Sequence, residues 1–308
     1  MTQIPTLNIA HFDTDKAAFI RQFGEAYSEW GFAGITGHDI DANLVDRALK
    51  AAELYFALPA QTKSLYETNA RGKSRGHIPF GTEKAKDSQH SDLKEFYHIG
   101  REVAGVEYLE KNIWPTEVAT FRSTFESLFS SLDTLAHRIL NVVALYLELP
   151  ESYFQTRVDR GEALLRILHY PPITDPDTPN VRAAAHEDIN LLTLLVGSEQ
   201  EGLEVLSRQG SWVPISMIEG TIVCNVGDML QRLSSGVLPS TTRRVVNSQG
   251  EKAHASRYSI PFFMHPNPDM PLDCLAQCVT DDNPIKYPPI TAENYLNERL
   301  IEIGLLKS

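Results

Sequence analysis

Apolar residues change their spacing near residue 150, and the change divides the chain into a helical part and a β-rich part. Phe19, Phe23, Ala26 and Trp30 form one helical stripe, following the cap-type residues Asp13 and Thr14. Leu44, Ala48, Ala52 and Tyr55 form a second behind Asp41, stopped by Pro59. Phe121, Phe125, Leu128, Leu132, Ala136, Ile139 and Val143 form a third, which predicts a long helix over 116–147 ended by Leu149 and Pro150. Short strands are predicted at 4–9 and 31–37. Residues 68–91, rich in Gly, Lys, Ser and Asp, read as an irregular, exposed segment long enough to be functional.

Beyond residue 150 the apolar runs are short, β-branched and punctuated by Gly, Pro, Asn and Asp. They fall at 163–170, 191–196, 203–206, 212–215, 221–226, 242–246 and 257–264, the texture of an all-β sandwich or barrel. Residues 294–306 return to a helix, and no internal repeat or low-complexity tract interrupts the order.

Composition narrows the class. The 308 residues, 42% hydrophobic and 22% charged, suit a soluble globular protein with a sizeable core. A net charge of −12 argues against a general nucleic-acid binder, while leaving room for local basic pockets that take acidic small molecules. Cys224 lies in an apolar run and is expected in the core, and Cys274 and Cys278 lack the second cysteine pair of a zinc site. With no signal-like start and no apolar stretch of membrane-spanning length, the expectation is a cytoplasmic protein without membrane contact. Oligomeric state is not legible.

Two residue pairs could carry chemistry. In an extended strand, side chains two apart share a face, so His186 and Asp188 can offer an imidazole and a carboxylate to one metal. A second His-x-Asp, His90 and Asp92, lies in the polar segment and reads as solvated surface. Arg257 and Ser259 likewise share a strand face, where a guanidinium fork and a hydroxyl can converge on a carboxylate.

Together these stretches resemble the 2-oxoglutarate-dependent, non-haem iron(II) oxygenases of the isopenicillin N synthase-like group. The N-terminal part is similar in Ile4-Pro5-Thr-Leu-Asn, Trp30-Gly-Phe through Gly37-His38, Tyr55 to Pro59 with Lys63, and Asp92-Leu-Lys-Glu-Phe-Tyr97. The C-terminal part is similar in Leu168-His-Tyr-Pro-Pro172, His186-Glu-Asp188, Asn225-Val-Gly-Asp228, Arg244-Val245-Val246 and Arg257-Tyr-Ser259-Ile-Pro-Phe. The resemblance implies an α+β fold: a double-stranded β-helix (jelly roll) core with a helical N-terminal region. It implies an N-terminal region over 1–115, a long helical segment over 116–160, a jelly-roll domain over 161–270 and a C-terminal tail and helix over 271–308. His186 and Asp188 match two of the three iron ligands, Arg257 and Ser259 match the pair that holds the distal carboxylate of 2-oxoglutarate, and Tyr170 matches a residue near that co-substrate. The implied activity is hydroxylation, desaturation or ring closure of a small molecule with Fe(II), 2-oxoglutarate and dioxygen.

One position departs from the pattern. The family's second histidine belongs in Ser-x-x-His-Arg-Val, and here Ser240-Thr-Thr-Arg243-Arg244-Val245 puts Arg243 there. A guanidinium has donors only and stays charged, so it has no lone pair for a metal. Three readings follow: an active enzyme with impaired metal binding, a member that has given up iron with Arg243 paired to Asp188, or a site completed by another residue. For the last, His254 is poorly aimed, and His77 and His98 reach the site only if the segment around them folds over its mouth. His77 stands where relatives often carry an aromatic residue and is expected to affect a substrate lid. Asp188 is present, so the halogenase variant of the fold, which lacks the carboxylate, is not supported. The rival class is a non-catalytic binding protein that keeps the pocket without the redox chemistry.

Overall fold

The computed structural model describes residues 4–82, 92–173, 180–197, 202–215, 220–247, 253–303 and 305–306. Strands β1 (Thr6–Asn8), β2 (Phe32–Thr36), β3 (Gly76–Ile78), β4 (Glu95–Gly100) and β5 (Leu164–Tyr170) precede the turn-rich part of the chain. There follow β6 (Ala183–His186), β7 (Leu192–Gly197), β8 (Leu203–Leu206), β9 (Trp212–Pro214), β10 (Ile222–Val226), β11 (Arg243–Val245) and β12 (Arg257–Met264). The helices are α1 (His11–Thr14), α2 (Lys16–Trp30), α3 (Ala42–Phe56), α4 (Ala60–Ser64), α5 (Phe121–Tyr146), α6 (Asp228–Leu233) and α7 (Ala292–Glu302).

Eight strands form one sheet in the order β1-β2-β10-β7-β12-β5-β4-β3, and four form a second in the order β6-β11-β8-β9. Every pairing is antiparallel except β1 with β2, giving the α+β jelly roll expected. Alternation decides what each face of the large sheet does. Leu165 and Ile167 of β5, Cys224 of β10, and Ile260 and Phe262 of β12 pack into one core cluster with α2, α3 and α5. The intervening residues, among them Leu168, Tyr170 and Val223, meet Ala183, Val205 and Val245 of the small sheet in a second cluster. Arg257 and Ser259 lie on that inward, inter-sheet face, because in an antiparallel pair opposite residues point the same way and their partners are Tyr170 and Leu168.

All seven residues of the predicted α5 stripe are buried, the six larger ones each contributing about 1.5–3 kcal/mol of transfer free energy. Asp41 caps α3 as expected, its side chain accepting from the Asn43 N–H at 2.9 Å. The cap of α2 is Asp15 rather than Asp13 or Thr14, which sit in the preceding turn α1. Residues 68–91 are not uniformly exposed: Arg75 and His77 are buried, and β3 adds an edge strand beside β4. Arg75 reaches the Glu110 and Arg101 carbonyls and Glu162, so its charge is satisfied in place. His90 lies outside the described residues, and Asp92 is no surface residue: it is buried, accepts from the Ala184 N–H at 3.1 Å and pairs with Lys94 at 2.8 Å. Among the described residues, no helix is long and apolar enough to cross a membrane.

Candidate functional site

The small sheet brings the first site residues together through its register. Arg243 of β11 stands directly opposite His186, the last residue of β6. Asp188 lies just past the end of β6 rather than on the strand, yet it is buried and its carboxylate accepts from the Arg243 Nη2. The other oxygen, Oδ2, accepts from Thr193 Oγ1 and from Asn225 Nδ2 at 3.0 Å. Both donors sit on the inward face of the large sheet, so Asp188 ties the two sheets together.

Electrostatics follow from these contacts. Burial by itself raises the Asp188 carboxyl, but the Arg243 charge, His186 and the hydrogen bonds outweigh it and hold the group at about 2. His186 is depressed by burial first and by the Arg243 charge second. The His186 Nδ1 lies 2.7 Å from the Ala184 carbonyl, which can only accept, so Nδ1 carries the proton and Nε2 keeps the lone pair.

Deeper in the inter-sheet space, Arg257 is almost fully buried, with Tyr170 as its cross-strand partner and its guanidinium 5.1 Å from that ring. Among the described residues its Nε and Nη1 have no hydrogen-bond partner, a cost of about 1–3 kcal/mol for each orphaned donor. Ser259 is buried beside it on the same strand face.

A cavity of about 710 Å³ opens at His186 and Asp188. Its walls include Gly72 and Ser74 from the polar segment and Tyr295, Arg299 and Leu300 from α7. Asp228, on the same wall, was singled out only as part of a matching stretch. The Tyr295 hydroxyl donates to its Oδ2 at 2.9 Å, its Oδ1 is orphaned, and burial pushes its pKa up to about 7. Gly227, just before it, lets the chain pack against Asn190, since a Cβ there would stand 2.1 Å from the Asn190 carbonyl oxygen.

The third-ligand candidates do not converge. His254 is exposed. His98 lines the cavity, but its Nδ1 lies 2.7 Å from the Lys73 carbonyl and its Nε2 accepts from Arg166 Nε at 2.7 Å. His77 belongs to no lid: it is buried on the helix side of the large sheet, 3.6 Å from Glu95. Among the described residues, no group of three or more His, Cys, Asp or Glu side chains is placed to hold a metal ion.

Sequence and structure comparisons agree on the family. Residues 4–117 match the model of the N-terminal region of the non-haem dioxygenases in morphine synthesis, and residues 161–266 match the 2OG-Fe(II) oxygenase superfamily. The chain therefore belongs to the 2-oxoglutarate/Fe(II) oxygenases. It is 34% identical to the 2-oxoglutarate-Fe(II) type oxidoreductase hxnY of Emericella nidulans, over 95% of this chain and 88% of that protein. A crystal structure of a 2OG-Fe(II) oxygenase family protein from Caulobacter crescentus superposes with a TM-score of 0.89 at 41% identity, covering 98% of this chain and all of that one (100%). A Neurospora crassa protein solved with alpha-KG and 5-formyluracil gives a TM-score of 0.85 at 28% identity, covering 96% of this chain and 95% of that one. Membership makes this chain a non-haem dioxygenase by class, with a small-molecule substrate, Fe(II) as the metal and 2-oxoglutarate as the co-substrate.

The donor set fits that metal only in part. His186 offers a lone pair and Asp188 a carboxylate, but the Asp188 Oδ1 is committed to Arg243, which has no lone pair to offer. The residues present do not fit a three-ligand iron centre.

Proposed function

We propose that this chain is a 2-oxoglutarate- and Fe(II)-type dioxygenase of a small molecule in which Arg243 occupies the third ligand position and opposes the metal. The observation that carries the reading is the buried guanidinium of Arg257, two of whose nitrogens lack a partner among the described residues, beside Ser259 and Tyr170. Such a group suits a carboxylate, and the Arg257 and Ser259 pair suits the distal carboxylate of the oxoacid. The substrate occupies the cavity at Asp228 and Tyr295, within reach of His186 and Asp188. Hydroxylation, desaturation and ring closure all use that arrangement.

A second reading is favoured by one observation, the ion pair between Arg243 and Asp188. In it the chain has lost iron and serves as a binding protein for the oxoacid or the small molecule. Anaerobic Fe(II) titration with 2-oxoglutarate present, on this chain and on Arg243→His, separates the two. The dioxygenase reading expects stoichiometric iron in both forms, roughly 100-fold weaker in the parent, and succinate formed on admission of oxygen. Iron in the histidine form alone, with no succinate from the parent, establishes the binding protein instead.

A further inference from the structure

The arginine that displaces a metal ligand also supplies something a metal would otherwise supply. We infer that Arg243 and Arg257 together hold a five-carbon dicarboxylate in this chain without a metal, Arg257 and Ser259 at one carboxylate and the Arg243 Nη1 at the other. The inference rests on the reading of Arg257 and Ser259 as a carboxylate pocket.

Three observations lead there. First, Arg243 uses only part of its donor capacity. A guanidinium carries five N–H groups in a rigid fork, and while Nη2 meets Asp188, Nη1 is buried with no partner among the described residues. Second, both arginines face the same inter-sheet space. Val245 packs in the cluster that holds Tyr170, Tyr170 is the cross-strand partner of Arg257, and Arg243 lies two residues before Val245 on the same face of β11.

Third, the general dimensions of facing sheets suit a short diacid. Two residues of strand cover about 7 Å, and facing sheets lie about 10 Å apart. Four C–C bonds separate the carboxyl carbons of 2-oxoglutarate by roughly 5 Å, and a hydrogen bond at each end adds about 3 Å.

The charge balance points the same way. Arg182 lies close enough to Arg257 for the two charges to repel, and it hydrogen-bonds the Ala255 carbonyl at 3.2 Å. Arg243 brings a third guanidinium, on the facing sheet, paired there to Asp188. A dianion offsets the excess. When iron anchors the oxoacid, the 2-oxo group is needed for chelation; two guanidinium forks need only the two carboxylates. Glutarate, which lacks the oxo group, is therefore the diagnostic ligand.

Calorimetry on the chelator-treated, metal-free chain tests this, with 2-oxoglutarate, glutarate and the monoacid 2-oxobutyrate as probes. We expect both diacids to bind at one per chain within a few-fold of each other, and 2-oxobutyrate to bind at least 10-fold more weakly. Arg243→Gln should weaken both diacids at least 10-fold. Asp188→Asn, which keeps the Thr193 and Asn225 contacts and frees Arg243, should tighten them, an increase that misfolding cannot mimic. Unchanged diacid binding in Arg243→Gln, or binding of 2-oxoglutarate only when Fe(II) is added, overturns the inference. If Arg257→Gln then abolishes that binding, the carboxylate pocket stands alone. Absence of diacid binding with and without Fe(II) overturns the pocket and the inference together.

Discussion

The two faces of the large sheet each bury an ion pair, and the two pairs are finished differently. On the helix side, Lys63 donates to both oxygens of Glu95, at 2.9 and 2.7 Å, and to the Phe56 carbonyl at 3.2 Å. Glu95 also holds His169 Nδ1 at 2.8 Å, and the imidazole is stacked between Phe56 and Tyr258. All three ammonium donors are used, so Lys63 keeps none for a ligand. On the inter-sheet side, Arg243 and Asp188 are equally buried, yet a guanidinium nitrogen is left over and Asp188 borders the cavity. A saturated buried pair belongs to the architecture, whereas an unsaturated one beside a cavity is a site.

The sharpest way to break this comparison is to remove one cation from each face. Lys63→Met leaves Glu95 buried without its main counter-charge and should cost about 3–5 kcal/mol in thermal or urea unfolding. Acid should act on the same face. Burial outweighs the attraction of Glu95 and lowers His77 to about 4. In the unfolded chain the imidazole titrates near 6.5, so unfolded protein binds the extra proton first. Stability is therefore full above about 6.5 and falls towards pH 4, by about 3 kcal/mol in all. The groups that face His77 are Tyr55, Phe56, Glu95 and Lys63, and His77→Gln should flatten that part of the stability profile.

Arg243→Met should cost less than Lys63→Met, about 1–2 kcal/mol, because Asp188 keeps two hydrogen bonds and meets the cavity. Equal costs for the two methionine variants would erase the distinction between the faces. Thr193→Val, which removes one donor to Asp188 and the acceptor of Asn190 Nδ2 at 2.9 Å, should cost no more than Arg243→Met, about 1–2 kcal/mol by the same unfolding measurement.

Legibility in the sequence followed the strength of the local pattern. Strand β12 fell on the predicted residues 257–264, and the α5 stripe matched position for position. Strand β4 was missed because it is buried on both faces: Glu95, Phe96, Tyr97 and His98 offer no apolar–polar alternation to read. Asp92 was misread for a similar reason, since a carboxylate in a polar stretch gives no local sign that Lys94 and a backbone amide await it.

The cluster of His186, Asp188 and Arg243 was visible because the first two are two apart and Arg243 interrupts a recognisable stretch. The Lys63, Glu95 and His169 network was not, because its members are far apart in the chain and meet only across α4, β4 and β5. Each did sit in a stretch that resembled the family, and that was the available signal. Asp228 was likewise marked only by its motif, its burial and its bond to Tyr295 being tertiary.

The pairing of Arg243 with His186 across β6 and β11 bears on how such a protein changes over generations. The ladder that aims position 243 is made of backbone atoms, so it aims whatever side chain the gene specifies. Some arginine and histidine codons differ by a single base. A lineage carrying this scaffold can therefore pass between a metal ligand and a fixed cation by one point mutation, without rebuilding the strand that presents it.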